Sequence, residues 1–458
     1  MTCSFADRCT DRRHLPRTRC GGPIVPTLMG RFALVAVVLV CAMSAEATPV
    51  APRTALVSIA LDGKPANGVS TAGSLSGSGR FVAFASSASN LVKRSRGVGL
   101  FIRDMRQGRT ASIGPGGRPI VTPNARFVLF CTPRALVRQD YFEPSTLDAY
   151  YNDAYVYDRA RRRFIRASMP VRGARRKTNV LPACGYTPET ISEPEISANG
   201  RFVVFGSRAD YIVRRDTNRE HDVFVRDLVL GRTSRVSVTS AGKQANGRSV
   251  HPHIVRNRFV YFCSGAQNLG APSDGAGLFV RDLVRRTTTQ VAMPAASGGC
   301  PLDFAEDAHV FVYATSPRGP GGQPRPMHLV VRNALTGASD VVTTGIGRSP
   351  TGEYYYVAGV ALSRDGRYVA FGSNSPNFSP HDTNGLRDVF WLDRLSRKIV
   401  RVSVRADGSE IDRSDVGSAV DSISPDGRWV AWETNDDKVV LDEPPGSTLD
   451  VFVTGPLH

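Results

Sequence analysis

A chain of 458 residues with 41% apolar and 22% charged residues has the composition of a globular protein, which excludes collagen-like and disordered polymers. Its 43 glycines and 30 prolines call for many tight turns. The formal charge of +17 rests on 58 basic residues, only six of them lysine, so it reads as arginine-rich coding as much as a surface built for polyanions.

The first 47 residues differ from the rest. Arg31 precedes an apolar run from Phe32 to Met43, and Ser44-Ala45-Glu46-Ala47 ends it with small residues. This is the pattern of a secretory signal, with cleavage expected after Ala47. Twelve apolar residues in a helix span about 18 Å, short of the hydrocarbon core of a bilayer, so no integral span is expected after cleavage. Met29 is an alternative start. Lipid attachment at Cys41 is disfavoured by Val40 in the place of a small residue. Removal of six arginines and three acids lowers the charge from +17 to +14. The expected location is secreted or extracytoplasmic, in the periplasm or cell envelope.

From residue 48 onward one unit recurs. It is clearest at Glu195-Ile-Ser-Ala-Asn-Gly-Arg-Phe-Val-Val-Phe-Gly-Ser207, followed by Asp222-Val-Phe-Val-Arg-Asp-Leu228 and Arg235-Val-Ser-Val238. It returns at Leu362–Phe371, Asp388–Trp391 and Arg401–Val404, with weaker copies near Leu75, Val121, Ile254, Phe304 and Ile423. The residue opening the second strand falls at Arg80, Arg126, Arg201, Arg258, His309, Arg367 and Arg428. Each unit holds four short runs rich in Val, Phe, Tyr and Ile, punctuated by Gly, Asn, Asp and Pro, the grammar of an antiparallel sheet. The spacing predicts an all-β, seven-bladed β-propeller over 48–458. Its blades are expected at 72–114, 119–169, 193–239, 251–293, 302–344, 359–405 and 420–453. The seventh unit lacks a fourth strand, whereas Val57–Gly68 aligns without a gap to Val236–Gly247. Residues 54–60 are therefore expected to complete the last blade and close the ring, leaving no exposed sheet edge.

The units Ile423-Ser-Pro-Asp-Gly-Arg-Trp-Val-Ala-Trp432 and Leu362-Ser-Arg-Asp-Gly-Arg-Tyr-Val-Ala-Phe371 resemble TolB-type, WD40-like propeller repeats. The resemblance implies a fold that presents a face or channel mouth to a partner; some relatives are fused to serine peptidases and a few are polysaccharide lyases. Such a fold hosts unrelated functions, so activity must be argued from sites. No G-x-S-x-G occurs, which argues against a catalytic serine.

Four constellations could carry chemistry or a covalent link. In blade order, the residue before the apolar position of the first strand is Ser74, Ile120, Glu195, His253, Asp303, Ala361 and Ser422. Blades 3, 4 and 5 thus bring Glu195, His253 and Asp303 to equivalent places, with Glu193 and His251 two residues earlier. Imidazole with carboxylates suits zinc or manganese; alternatively these groups line a wet channel mouth and satisfy backbone groups. Next, Asp382, Asn384 and Asp388, echoed by Asp216, Asn218 and Asp222, have the spacing of a hard-cation loop or of a side chain–capped turn. Third is a basic run, Arg161, Arg162, Arg163, Arg166, Arg175 and Arg176, with Tyr150, Tyr151, Tyr155 and Tyr157 nearby as stacking surfaces. It could hold an anionic polymer or be a solvated face. The fourth comprises the cysteines left after the leader, expected to pair as Cys131–Cys184 and Cys263–Cys300 under oxidising conditions.

The leading functional expectation is an exported, non-catalytic protein-interaction or scaffolding module. It would act as a monomer through a face built by loops near 90–100, 138–154, 208–222, 268–277 and 374–388. The alternatives are a carbohydrate or anionic-polymer binder of the cell envelope and a metal-assisted polysaccharide lyase. No nucleic-acid partner is expected, and no cofactor beyond a candidate divalent cation.

Overall fold

In a computed structural model, the described residues are 52–94, 98–138, 153–169, 194–273, 275–294, 300–315, 328–343, 356–379, 382–411, 418–440 and 448–458. They build seven four-stranded antiparallel sheets, and in six of them the strands follow chain order. Blade 3 is representative, with strands Glu195–Ile196, Phe202–Ser207, Asp222–Asp227 and Arg232–Arg235. The seventh sheet joins Ala419–Ile423, Val430–Thr434 and Asp450–Gly455 to Arg53–Leu56 from the other end of the chain. The ring is closed as the unit count requires.

The closing strand is shorter than the expected 54–60. Its ladder runs from Arg53 opposite Gly455 to Leu56 opposite Phe452. Val57 adds one more bond to Val451, and then the chain bends into a small hairpin bridged at Ile59 and Pro65. The same hairpin recurs at Val238 and Gln244 and at Val404 and Glu410. Gly63, Gly242 and Gly408 take positive φ at its tip. The alignment of Val57–Gly68 with Val236–Gly247 thus captured a strand end plus a turn, not one long strand.

Second and third strands are almost wholly buried because each blade has neighbours on both faces, so their apolar runs are continuous rather than alternating. Seven hydrophobic clusters fill the seven blade junctions, including Phe205 and Phe224 against blade 2, and Trp391 and Trp432 between blades 6 and 7. The turn between first and second strands is also packed across a junction. Gly427, at φ +74°, lies so close to the Tyr368 ring of blade 6 that a Cβ would overlap it, and Gly200 stands likewise against Phe127. Both conformation and space demand glycine there.

The arginines marking the repeat have a structural use. Arg80, Arg126, Arg201, Arg258 and Arg367 each reach the aspartate that ends the third strand of their own blade, at 2.6, 3.2, 2.7, 2.5 and 2.8 Å. Each also stacks on the aromatic residue that follows it. The aspartate in turn accepts backbone N–H groups of the next turn, as Asp227 does from Val229 and Leu230. In blade 5, His309 replaces the arginine and bonds Tyr261 Oη through Nδ1 at 2.6 Å. Among the described residues no helix is long and apolar enough to cross a membrane.

Candidate channel-mouth site

First strands are edge strands facing the propeller axis, so one row of their backbone groups has no ladder partner. The side chains that the repeat register singled out meet this need across blade junctions. Ser422 Oγ accepts from Leu75 N at 3.2 Å, and Ser74 Oγ from Val121 N at 3.0 Å. Glu195 Oε2 accepts from Ile254 N at 3.0 Å, and Asp303 Oδ2 from Leu362 N at 2.7 Å. A residue of one blade thus stitches the first strand of the next at four junctions. The pattern skips Ile120 and Ala361, which have no side-chain acceptor.

At His253 the pattern changes. Its Nδ1 lies 2.5 Å from Glu195 Oε1, and its ring packs on Phe304 at 4.7 Å between centroids. Asp303 Oδ1 accepts from its own successor, Phe304 N, at 2.8 Å. One ligand-type atom from each of Glu195, His253 and Asp303 lies within 4.8 Å of the other two, the only such trio among the described residues. The sequence register therefore brings these three together. A β-bulge between Val250 and His253 shapes the approach; His251 sits in it at φ +51°. Equivalent bulges occur in blades 1, 2, 6 and 7. Burial pushes the Asp303 carboxyl up to about 6, with His253 opposing and Glu195 adding to the rise. Glu306, on the neighbouring turn, is pushed up to about 7 by burial; the charge of Arg364 opposes this, while Glu195, Asp307 and Asp303 reinforce it. Burial lowers the His251 imidazole, and His253 and Arg248 add to the effect. Glu193 lies outside the described residues.

The two acidic loops are closed by arginines from the fourth strand. Arg235 reaches Asp216 at 3.0 Å and Asp222 at 3.2 Å, and Gln244 donates to both at 2.9 and 3.1 Å. Arg401 reaches Asp388 at 3.2 Å and Glu410 at 2.9 Å, and its charge acts on buried Asp382. Asn218 accepts from Glu220 N and donates to Ala245 O; Asn384 does the same with Leu386 N and Ile411 O. The two asparagines thus cap their turns, and a guanidinium stands beside the aspartates of each loop.

The basic run divides. Arg161 and Arg162 are exposed at the turn between the third and fourth strands of blade 2 and Arg163 is exposed at the start of the fourth, whereas Arg166 is tied to Asp153 at 2.7 Å. Arg175 and Arg176 lie outside the described residues. Two of the expected stacking surfaces are not free: Tyr155 is fully buried beside Phe130, and Tyr157 is half-buried against Phe164, while Tyr150 and Tyr151 lie outside the described residues. Both stand on a strand with neighbours on each face, which alternation alone did not reveal. Cys263 and Cys300 form the expected disulfide, tying the second strand of blade 4 to the connector that leaves it. Cys131 is disulfide-bonded as well, while Cys184 lies outside the described residues.

A feature missed in sequence is a set of exposed aliphatic residues. Val229, Val284, Leu335 and Leu395 occupy the same turn, between third and fourth strands, in blades 3 to 6, with exposures of 73, 71, 70 and 76%. The recurring Asp-x-aliphatic spacing after the third strand carried the signal for Val229, Val284 and Leu395.

No family model and no curated protein matches this chain. Solved structures do. An oligogalacturonate lyase in complex with manganese is similar at 11% identity and TM-score 0.52, over 89% of this chain and 97% of that one. Another oligogalacturonate lyase, from Vibrio parahaemolyticus, has 9% identity and TM-score 0.51, over 89% and 98%. TolB from Acinetobacter baumannii is a looser match, at 12% identity and TM-score 0.39 over 70% and 63%. At such identities the likeness concerns architecture alone: this chain is a seven-bladed β-propeller.

Proposed function

We propose that this chain is an exported, non-catalytic interaction module of the cell envelope that docks a protein partner. The observation that carries this reading is the row of aliphatic side chains at Val229, Val284, Leu335 and Leu395. Turns between first and second strands and between third and fourth strands share one face of a propeller, so these four line an arc on that face. Their recurrence at one position of four successive blades sets them apart from singly scattered surface hydrophobics. Exposed Arg232, Arg285 and Arg286 flank them, which suits a partner whose apolar contact is rimmed by acids. The arc lies on the face opposite the loops near 90–100, 138–154, 208–222, 268–277 and 374–388, of which 95–97, 139–152, 274 and 380–381 lie outside the described residues. Elsewhere Asp216, Asp222 and Asp388 of the acidic loops face arginines.

Affinity capture from envelope extract, with and without serine at all four aliphatic positions, tests the reading. The expected result is a specific partner retained by the wild type and lost by the variant. A partner held equally by both refutes the arc. The non-catalytic part is tested separately by incubating the chain with oligogalacturonate and excess manganese; unsaturated product would overturn it.

A further inference from the structure

We infer that Glu195, His253 and Asp303 form a site for one divalent transition metal ion of the zinc or manganese class, clamped between blades 3, 4 and 5. The three ligand-type atoms lie within 4.8 Å of one another, a spread that small adjustments bring onto an ion with ligand distances of about 2.0–2.2 Å. One imidazole and two carboxylates make a mixed nitrogen–oxygen set, which suits these ions better than soft thiolate-seeking or purely oxygen-bound ones.

The stitching role does not account for the residue types. In blades 7 and 1 the same backbone bond is accepted by Ser422 and Ser74, so a hydroxyl is sufficient. Blades 3 and 5 instead place a carboxylate each, and blade 4 sets an imidazole against one of them. A carboxylate oxygen that accepts one N–H keeps a second lone pair, so a stitch and a metal bond can coexist on the same group. The backbone bonds from Ile254, Phe304 and Leu362 then serve as orienting contacts that hold both carboxylates in place. Each ligand comes from a different blade, so the ion would bridge two junctions of the ring.

This inference is independent of the docking arc, since a structural ion is compatible with a binding module and with an enzyme. The full chain, stripped with a chelator and dialysed, is titrated with zinc chloride and separately with manganese chloride. At least one of the two ions is expected to bind at one per chain. X-ray absorption on that complex is expected to show a nitrogen and oxygen shell that includes one imidazole. Glu195→Gln retains an acceptor for Ile254 N, and it and His253→Ala are expected to weaken binding at least tenfold. An unchanged unfolding midpoint of the stripped Glu195→Gln chain would show that the fold persists. The assignment is overturned if neither ion binds, if the shell contains sulfur or lacks imidazole, or if both variants bind as the wild type does. Should the variants fail to fold, the absorption result on the wild type decides alone.

Discussion

Asp450 shows how a single position departs from its repeat. The aspartate opening the third strand recurs at Asp153, Asp222, Asp388 and Asp450. Each accepts a serine hydroxyl, from Ser168, Ser237, Ser403 and Ser58 at 2.6, 2.5, 2.6 and 2.5 Å. In three blades an arginine of the fourth strand stands beside it: Arg166, Arg235 or Arg401. In the closing blade that place is Leu56, which pairs with Phe452 as Arg235 pairs with Phe224. Burial pushes the Asp450 carboxyl up to about 6 against the hydroxyls of Ser58 and Thr448, and it pushes Asp222 and Asp388 as far despite their arginines. A carboxyl raised in the folded state binds its proton more tightly there than in the unfolded chain. Stability from this group is thus greatest near pH 4 and declines as pH rises through 6. Asp450→Asn removes the charge and keeps an acceptor for Ser58. It is expected to raise stability by about 1–3 kcal/mol at pH 8 and much less at pH 5, read from denaturant unfolding at both values. An equal loss at both would show that shape, not charge, governs the site.

Within a blade, the arginine–aspartate clamp sets the opposite pH response. Asp104, Asp282 and Asp393 are held below the usual carboxylate range, first by hydrogen bonds from Arg80, Arg258 and Arg367. A depressed folded pKa contributes stability that is present above about 4 and is lost as pH falls through the folded value. Circular dichroism between pH 7 and pH 2 is expected to show unfolding that begins only below pH 4. Substituting all three arginines by glutamine should move that onset upward, and no movement would mean that the clamps are neutral. The arginines themselves were legible as repeat marks, yet their partners were not. Arg80 and Asp104 lie on adjacent strands 24 residues apart, and only the hairpin register places them together.

At the scale of the ring, closure depends on a short contact. Arg53–Leu56 covers the outer edge of Asp450–Gly455, and Leu56 and Val57 enter two different junction cores. Deleting residues 1–57 should uncover that edge and loosen blade 7 from blade 1, since an unpaired strand invites other chains. Size-exclusion chromatography and thermal unfolding of the truncated chain are expected to show association and a lower, broader transition. A monomer with an unchanged midpoint would mean that the ring holds without its closing strand. The disulfide at Cys263–Cys300 adds a second, local restraint within blade 4, the kind of link that typically contributes about 2–4 kcal/mol.

The linear sequence determined the number of blades, the origin of the closing strand, the cysteine pair and the shared register of Glu195, His253 and Asp303. All of these follow from a strand-and-turn pattern repeated along one dimension. Only the tertiary structure decided which charges are spoken for. It gave Arg235 and Arg401 to the acidic loops, buried Tyr155 in a core, and turned Glu195 and Asp303 toward the backbone of the next blade. A side chain's partner lies across a hairpin or a blade junction, at a distance in sequence that local periodicity does not encode. Burial, which sets the strength and the protonation of those bonds, exists only once the sheets have packed.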